Sequence, residues 1–100
     1  MAYRWGMATY RVMTWRGIPA QVQATDGSGV VANVPLPPYF QQEIDRIAMR
    51  EGIIESDEYL EAWAWSEPAE RDGSAQELAV AVQTELVEAW DRERHSGTGA

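Results

Sequence analysis

Few residue types in this 100-residue chain could carry a reaction. There is no cysteine, so disulfides, zinc thiolates and thiol nucleophiles are all excluded. The one histidine, His95, stands beside Gly97 and Gly99 in a polar C-terminal stretch. A metal centre needs three or four convergent ligands, so His95 reads as a surface residue and no metal is expected. Ser28, Ser56, Ser66 and Ser74 each fall in a turn, loop or cap, with no histidine in the patterned part of the chain to act as base. Glu58, Glu61, Glu67 and Glu70 lie close in sequence. An acid/base pair would need two of them on one face of a partly dry pocket, but they sit among alanines and loop residues and read as a solvated acidic rim. Gly27-Ser28-Gly29 is too short to cradle phosphate and leads into a strand rather than a helix, so it reads as a turn. No catalytic residue and no cofactor is expected.

The aromatic residues stand above background, with five tryptophans in the chain. Trp63 and Trp65 alternate with Ala62 and Ala64, and Trp15 shares one side of a period-two pattern with Met13 and Arg11. If each set lies on a strand, the small alanine side suits the underside of a packed helix. The tryptophan side then points to an uncovered face, where Trp15 and Met13 of a neighbouring strand join it. Trp, Tyr, Arg and Met are the residues enriched at protein interfaces. Arg11 and Arg16 nearby could hold a partner's carboxylates or an anionic ligand. The other reading of the same spacing is that one or more of these tryptophans fill the core, with the alanine side outward.

The elements that position these residues follow from periodicity. Residues 8–16 alternate, with Tyr10, Val12 and Thr14 on one face and Arg11, Met13 and Trp15 on the other, which predicts a strand. Arg16–Pro19 is a turn, and Ala20–Thr25 alternates again with glutamine outward and Ala/Val inward. Asp26–Gly29 is a hairpin signal, and Val30–Val34 is a third strand stopped by Pro35, Pro37 and Pro38. A helix begins at Pro38, buries Phe40, Ile44, Ile47 and Ala48, and ends at Gly52. Residues 58–65 are ambiguous: a helical turn capped by Ser56 is possible, but the period-two pattern favours a strand over about residues 60–66. Ser66–Gly73 reads as loop. Ser74-Ala-Gln-Glu77 is a capping box that opens a helix carrying Leu78, Val82, Leu86 and Trp90 on one stripe.

The predicted fold is therefore α+β, in the order β-β-β-α-β-α. It is a four-stranded, mostly antiparallel sheet with two helices on one face, a right-handed crossover placing the fourth strand beside the first. One domain is expected over residues 8–93, with residues 1–7 a disordered or non-native start and 94–100 a flexible tail.

Charge narrows the partners. Residues 1–50 carry +2 and residues 51–100 carry −10, giving the net −8. All eight basic residues are arginine and they do not cluster, which argues against nucleic acid and against an anionic membrane surface. No apolar run approaches the ~18 residues of a membrane span, and Met1–Gly6 lacks the apolar region of a signal peptide. With no cysteine, a cytoplasmic location is expected.

Three stretches taken together resemble a known family: Trp15–Val22, Leu36–Met49, and Tyr59–Trp65 followed by Gly73–Ala79. They are similar to the small bacterial domain described simply as "virulence factor", also found inside multidomain proteins of the conserved virulence factor C type. The resemblance covers about residues 8–90. Members of that family have no assigned catalytic residues. They stand alone or are fused to a NifU-like scaffold segment and helical repeats, and stand-alone members neighbour genes of folate-linked one-carbon metabolism. What the resemblance implies is an accessory role.

The expected function is a non-catalytic domain that docks a partner protein, or a second copy of itself, through an aromatic sheet face made of Arg11, Met13, Trp15, Arg16, Trp63 and Trp65. The alternative is binding of a flat pterin- or flavin-like molecule stacked by Trp15, Trp63 and Trp65 and oriented by Arg16 and Gln21.

Overall fold

In the computed structural model, secondary structure is described for residues 7–98 and side chains for residues 7–93. The expectations for residues 1–6 and 99–100 lie outside the described residues. Met7 opens the first strand, and the last helix runs to Thr98.

Three strands come first: β1 (Met7–Trp15), β2 (Ile18–Asp26) and β3 (Val31–Pro35). The β1–β2 hairpin turns on two residues, Arg16 and Gly17, both at positive φ (50° and 83°), a type I′ geometry that matches the right-handed twist of the strands. At the next hairpin Asp26 organises the loop: its Oδ1 accepts hydrogen bonds from the Ser28 and Val30 amides and from the Ser28 hydroxyl. Helix α1 (Pro38–Glu51) starts on its proline and ends at Gly52, which takes the left-handed conformation. A five-residue helix α2 (Asp57–Glu61) follows, with the Ser56 hydroxyl accepting from the Tyr59 amide. The strand expected over about residues 60–66 is shorter, β4 (Trp63–Trp65), because the turn capped by Ser56 carries Leu60 and Glu61 into the helix and Ala62 ends it.

Strand β5 (Ala69–Asp72) occupies the segment read as loop. Its composition, Ala-Glu-Arg-Asp, carries no strand signal, and pairing with β1 supplies it. β4 and β5 lie end to end along β1, joined by Ser66–Pro68 with one residue more than β1 spends opposite them. At this bulge the Ser66 amide donates to the Val12 carbonyl and the Ser66 hydroxyl accepts from the Val12 amide, both at 2.8 Å. The side chain stands in for a backbone acceptor where the extra residue interrupts the ladder.

The sheet order is β3-β2-β1-β4, with β5 also on β1, and every pairing is antiparallel. The fourth strand does lie beside the first, but antiparallel to it, so the handedness rule for parallel crossovers does not govern the link. Helix α3 (Ala75–Thr98) opens on the predicted capping box: the Glu77 amide donates to the Ser74 hydroxyl and the Ser74 amide to Glu77 Oε1, each at 3.2 Å.

The core divides in two. In the larger part Ala75, Leu78, Ala79 and Val82 of α3 pack on Ala8, Val12, Val22, Ala24 and Ala32 of the sheet, with Phe40 of α1 between the helices. Small residues on the sheet let the helix approach closely, and each buried Leu or Val contributes roughly 1.5–3 kcal/mol. In the smaller part Ile44 and Ala48 of α1 close over Trp15, Ile18, Ala20 and Ile53 at the hairpin end. Ile18 touches both parts, so α1 and α3 cover the same face.

Candidate functional site

The uncovered face takes alternate residues of each strand. Gln21 and Gln23 lie there, as their alternation with the core residues Ala20, Val22 and Ala24 requires. Arg11 pairs with Gln23, Met13 with Gln21, and Asn33 with Gln23 from the other side. The face is a polar row rather than an aromatic one. Gln21 and Gln23 each donate from Nε2 to Asn33 Oδ1, at 3.0 and 3.1 Å. Gln23 Oε1 accepts from Arg11 Nε at 3.0 Å. The Arg11 guanidinium lies over the Trp65 ring, 3.9 Å from its centroid. Trp65, Arg11, Gln23 and Asn33 thus span the sheet from one edge to the other, with Met13 flanking.

The expected tryptophan cluster is dispersed. Trp15 is 0 % exposed and belongs to the smaller core, where its Nε1 donates to the Tyr59 carbonyl at 3.0 Å and its ring lies 5.6 Å from that of Tyr59. The cause is a bulge. β2 spends one more residue than β1 between the pairs Met13–Gln21 and Thr14–Pro19. The alternation of β2 continues through Ile18, so that of β1 must shift, and Trp15, three residues after Val12, turns to the helix side with it. Trp63, paired with Trp15, packs half-buried against the same core and meets Tyr59 edge-on at 6.1 Å. Ala64, expected beneath a helix, is exposed. A signal for the bulge was present: Pro19 cannot donate in a ladder and is tolerated inside sheets chiefly at edges and bulges.

Arg16 is also placed elsewhere. From the hairpin tip it reaches Glu51 (2.7 Å) and Glu58 (3.1 Å) and lies 4.8 Å from the Trp15 ring centroid. It ties β1 to the end of α1 and the start of α2. Of the six residues expected at the site, Arg11, Met13 and Trp65 come together, while Trp15, Trp63 and Arg16 serve the hairpin end. Sequence reasoning assigned Gln23 outward without a role and did not select Asn33. Only the register of β2 on both neighbours shows that these amides orient Arg11.

The remaining arginines with assigned partners contrast with Arg11. Arg46 holds Glu43 through two hydrogen bonds, and Arg71 holds Glu85 through two at 2.7 Å. The Arg71 pair keeps the Glu85 carboxyl below its usual range. Arg11, in a chain with 16 carboxylates, has no carboxylate partner among the described residues. Beside it runs a shallow groove of about 310 Å³ lined by Thr9, Tyr10, Arg11, Gln23, Thr25 and Pro68. Among the described residues no polar or charged side chain is buried, and no three His, Asp or Glu converge as metal ligands. No helix there is long and apolar enough to cross a membrane.

An all-antiparallel α+β domain with one sheet face covered by helices and the other presenting an amide-oriented guanidinium defines the class. Residues 13–96 match the family described as "Virulence factor", and the chain belongs to it. No curated protein and no solved structure matches the chain.

Proposed function

We propose that the chain is a non-catalytic accessory domain of the bacterial cytoplasm that binds a partner protein through its uncovered sheet face. The observation that carries this reading is Arg11. Its guanidinium is stacked on Trp65 and its Nε is anchored on Gln23. Its outer N–H groups have no carboxylate within the described chain. A planar, pre-oriented guanidinium loses little freedom on accepting a carboxylate, and this geometry favours bidentate recognition. The Gln and Asn amides beside it supply further hydrogen-bonding groups, and Met13 and Trp65 the apolar area, the mixture found at interfaces. The partner surface that fits is a flat one offering a carboxylate. The stacked pterin- or flavin-like ligand is less well supported, since the three tryptophans and Arg16 that it needs do not meet on one surface.

The test is capture of partners by the wild-type chain and by Arg11→Ala and Trp65→Ser. We expect a captured protein that is lost from both variants and released by salt, while both variants melt near wild type. Failure to capture any protein, or equal capture by the variants, would refute the reading.

A further inference from the structure

Among the described residues no strand pairs with the outer edge of β3, and the hydrogen-bonding groups of that edge can be assigned. Bonded and non-bonded pairs alternate in an antiparallel ladder. The Asp26 amide donates to the Val30 carbonyl at one end of the β2–β3 ladder, and the Leu36 amide to the Ala20 carbonyl at the other, each at 3.0 Å. With the observed register, Ala32 and Val34 bond to β2, so the N–H and C=O groups of Val31 and Asn33 point away from the sheet. Pro35 has no N–H, and its carbonyl already accepts from Gln83 Nε2 of α3 at 3.0 Å. The free edge therefore consists of two donors and two acceptors, two residues apart.

That arrangement is its own complement. We infer that a second copy of this chain pairs here, β3 against β3 about a two-fold axis at Ala32, giving one continuous sheet through both protomers. Val31 of one copy faces Asn33 of the other, and each such pair exchanges two bonds. Pro35, with no N–H and its carbonyl taken by Gln83, closes the ladder at the C-terminal end of β3.

Charge and apolar exposure select the same occupant. Gly29–Pro37 carries no ionisable residue, whereas the opposite edge holds Glu67, Glu70 and Asp72. Helix α3 begins where the Ala75 amide meets Asp26 Oδ2 and reaches Pro35 at Gln83, so it runs alongside β3. Gln76, Val80, Gln83 and Val87 follow helical spacing on the side of Gln83 and are all uncharged. Val80 is 42 % exposed beside the middle of β3, and Val30 and Val31 are 55 % and 52 % exposed. In a chain of net charge −8, this neutral strip lets two copies meet without opposing carboxylates. Natural sheets usually guard an open edge with charge, and β3 carries none. The inference does not depend on the Arg11 face, which remains exposed in such a dimer.

The experiment combines sedimentation over a concentration series with amide hydrogen exchange of the intact chain. Wild type should form dimers whose Val31 and Asn33 amides become protected as concentration rises. Val31→Lys and Val80→Glu should each weaken the dimer by roughly tenfold or more in Kd, with unchanged circular dichroism. Leu60→Lys, on exposed α2, should leave it intact. A chain that stays monomeric throughout overturns the inference. So does a dimer that survives both edge variants, or one in which these two amides exchange freely.

Discussion

Replacing Trp15 by alanine removes an indole that is 0 % exposed and enclosed by Ile44, Ala48 and Ile53. Truncating a fully buried large aromatic costs about 3–5 kcal/mol, because the surrounding helices cannot collapse fully into the space. The change also deletes the Nε1 bond to the Tyr59 carbonyl, a contribution of about 0.5–1.5 kcal/mol. Against a total stability of about 5–15 kcal/mol for a small domain, the variant should lose a large share of its stability. At 4–8 °C per kcal/mol, its melting midpoint should fall by about 12 °C or more. The measurement is a circular dichroism melt beside urea titration, with Trp65→Ala as comparison. Trp65 is half-buried and its principal partner is the Arg11 guanidinium. A stacked cation at a wet surface contributes about 0.5–1 kcal/mol, so Trp65→Ala should melt within several degrees of wild type. Trp15→Phe should fall between, keeping the contact with Tyr59 while losing the indole bond. A Trp15→Ala midpoint within about 4 °C of wild type, or equal losses in the two alanine variants, would show that Trp15 is not the core residue described here.

Ser74→Ala should destabilise the domain by about 0.5–2 kcal/mol through loss of the capping box, read by urea titration, and leave partner capture unchanged. Asp26 predicts a pH dependence. Its carboxyl is held below the usual range, first by the Ser28 hydroxyl and then by the Val30, Ser28 and Ala75 amides. A group whose folded pKa is depressed contributes stability above its unfolded value, about 3.9, and loses it as pH falls through the folded one. Wild type should therefore weaken in acid melts below about pH 4, and Asp26→Asn should be less stable at neutral pH with a shallower acid slope. An unchanged slope in Asp26→Asn would place the acid sensitivity elsewhere.

The sequence by itself determined the elements whose cause is local. The capping box at Ser74 and Glu77, the proline start and Gly52 stop of α1 and the outward glutamines of β2 all depend on neighbours within a few residues. Each appears as the pattern requires. Tertiary structure decided what depends on register. One extra residue in β2 reverses the alternation of β1 beyond Met13 and sends Trp15 into the core. Pairing with β1 makes a strand of Ala69–Asp72, which has no propensity for one. The residues around Arg11 come from four strands, and their meeting is a property of the sheet order alone. A period-two pattern states that side chains alternate. It cannot state at which residue the alternation slips, because a bulge is fixed by the partner strand and by the helices packed on it.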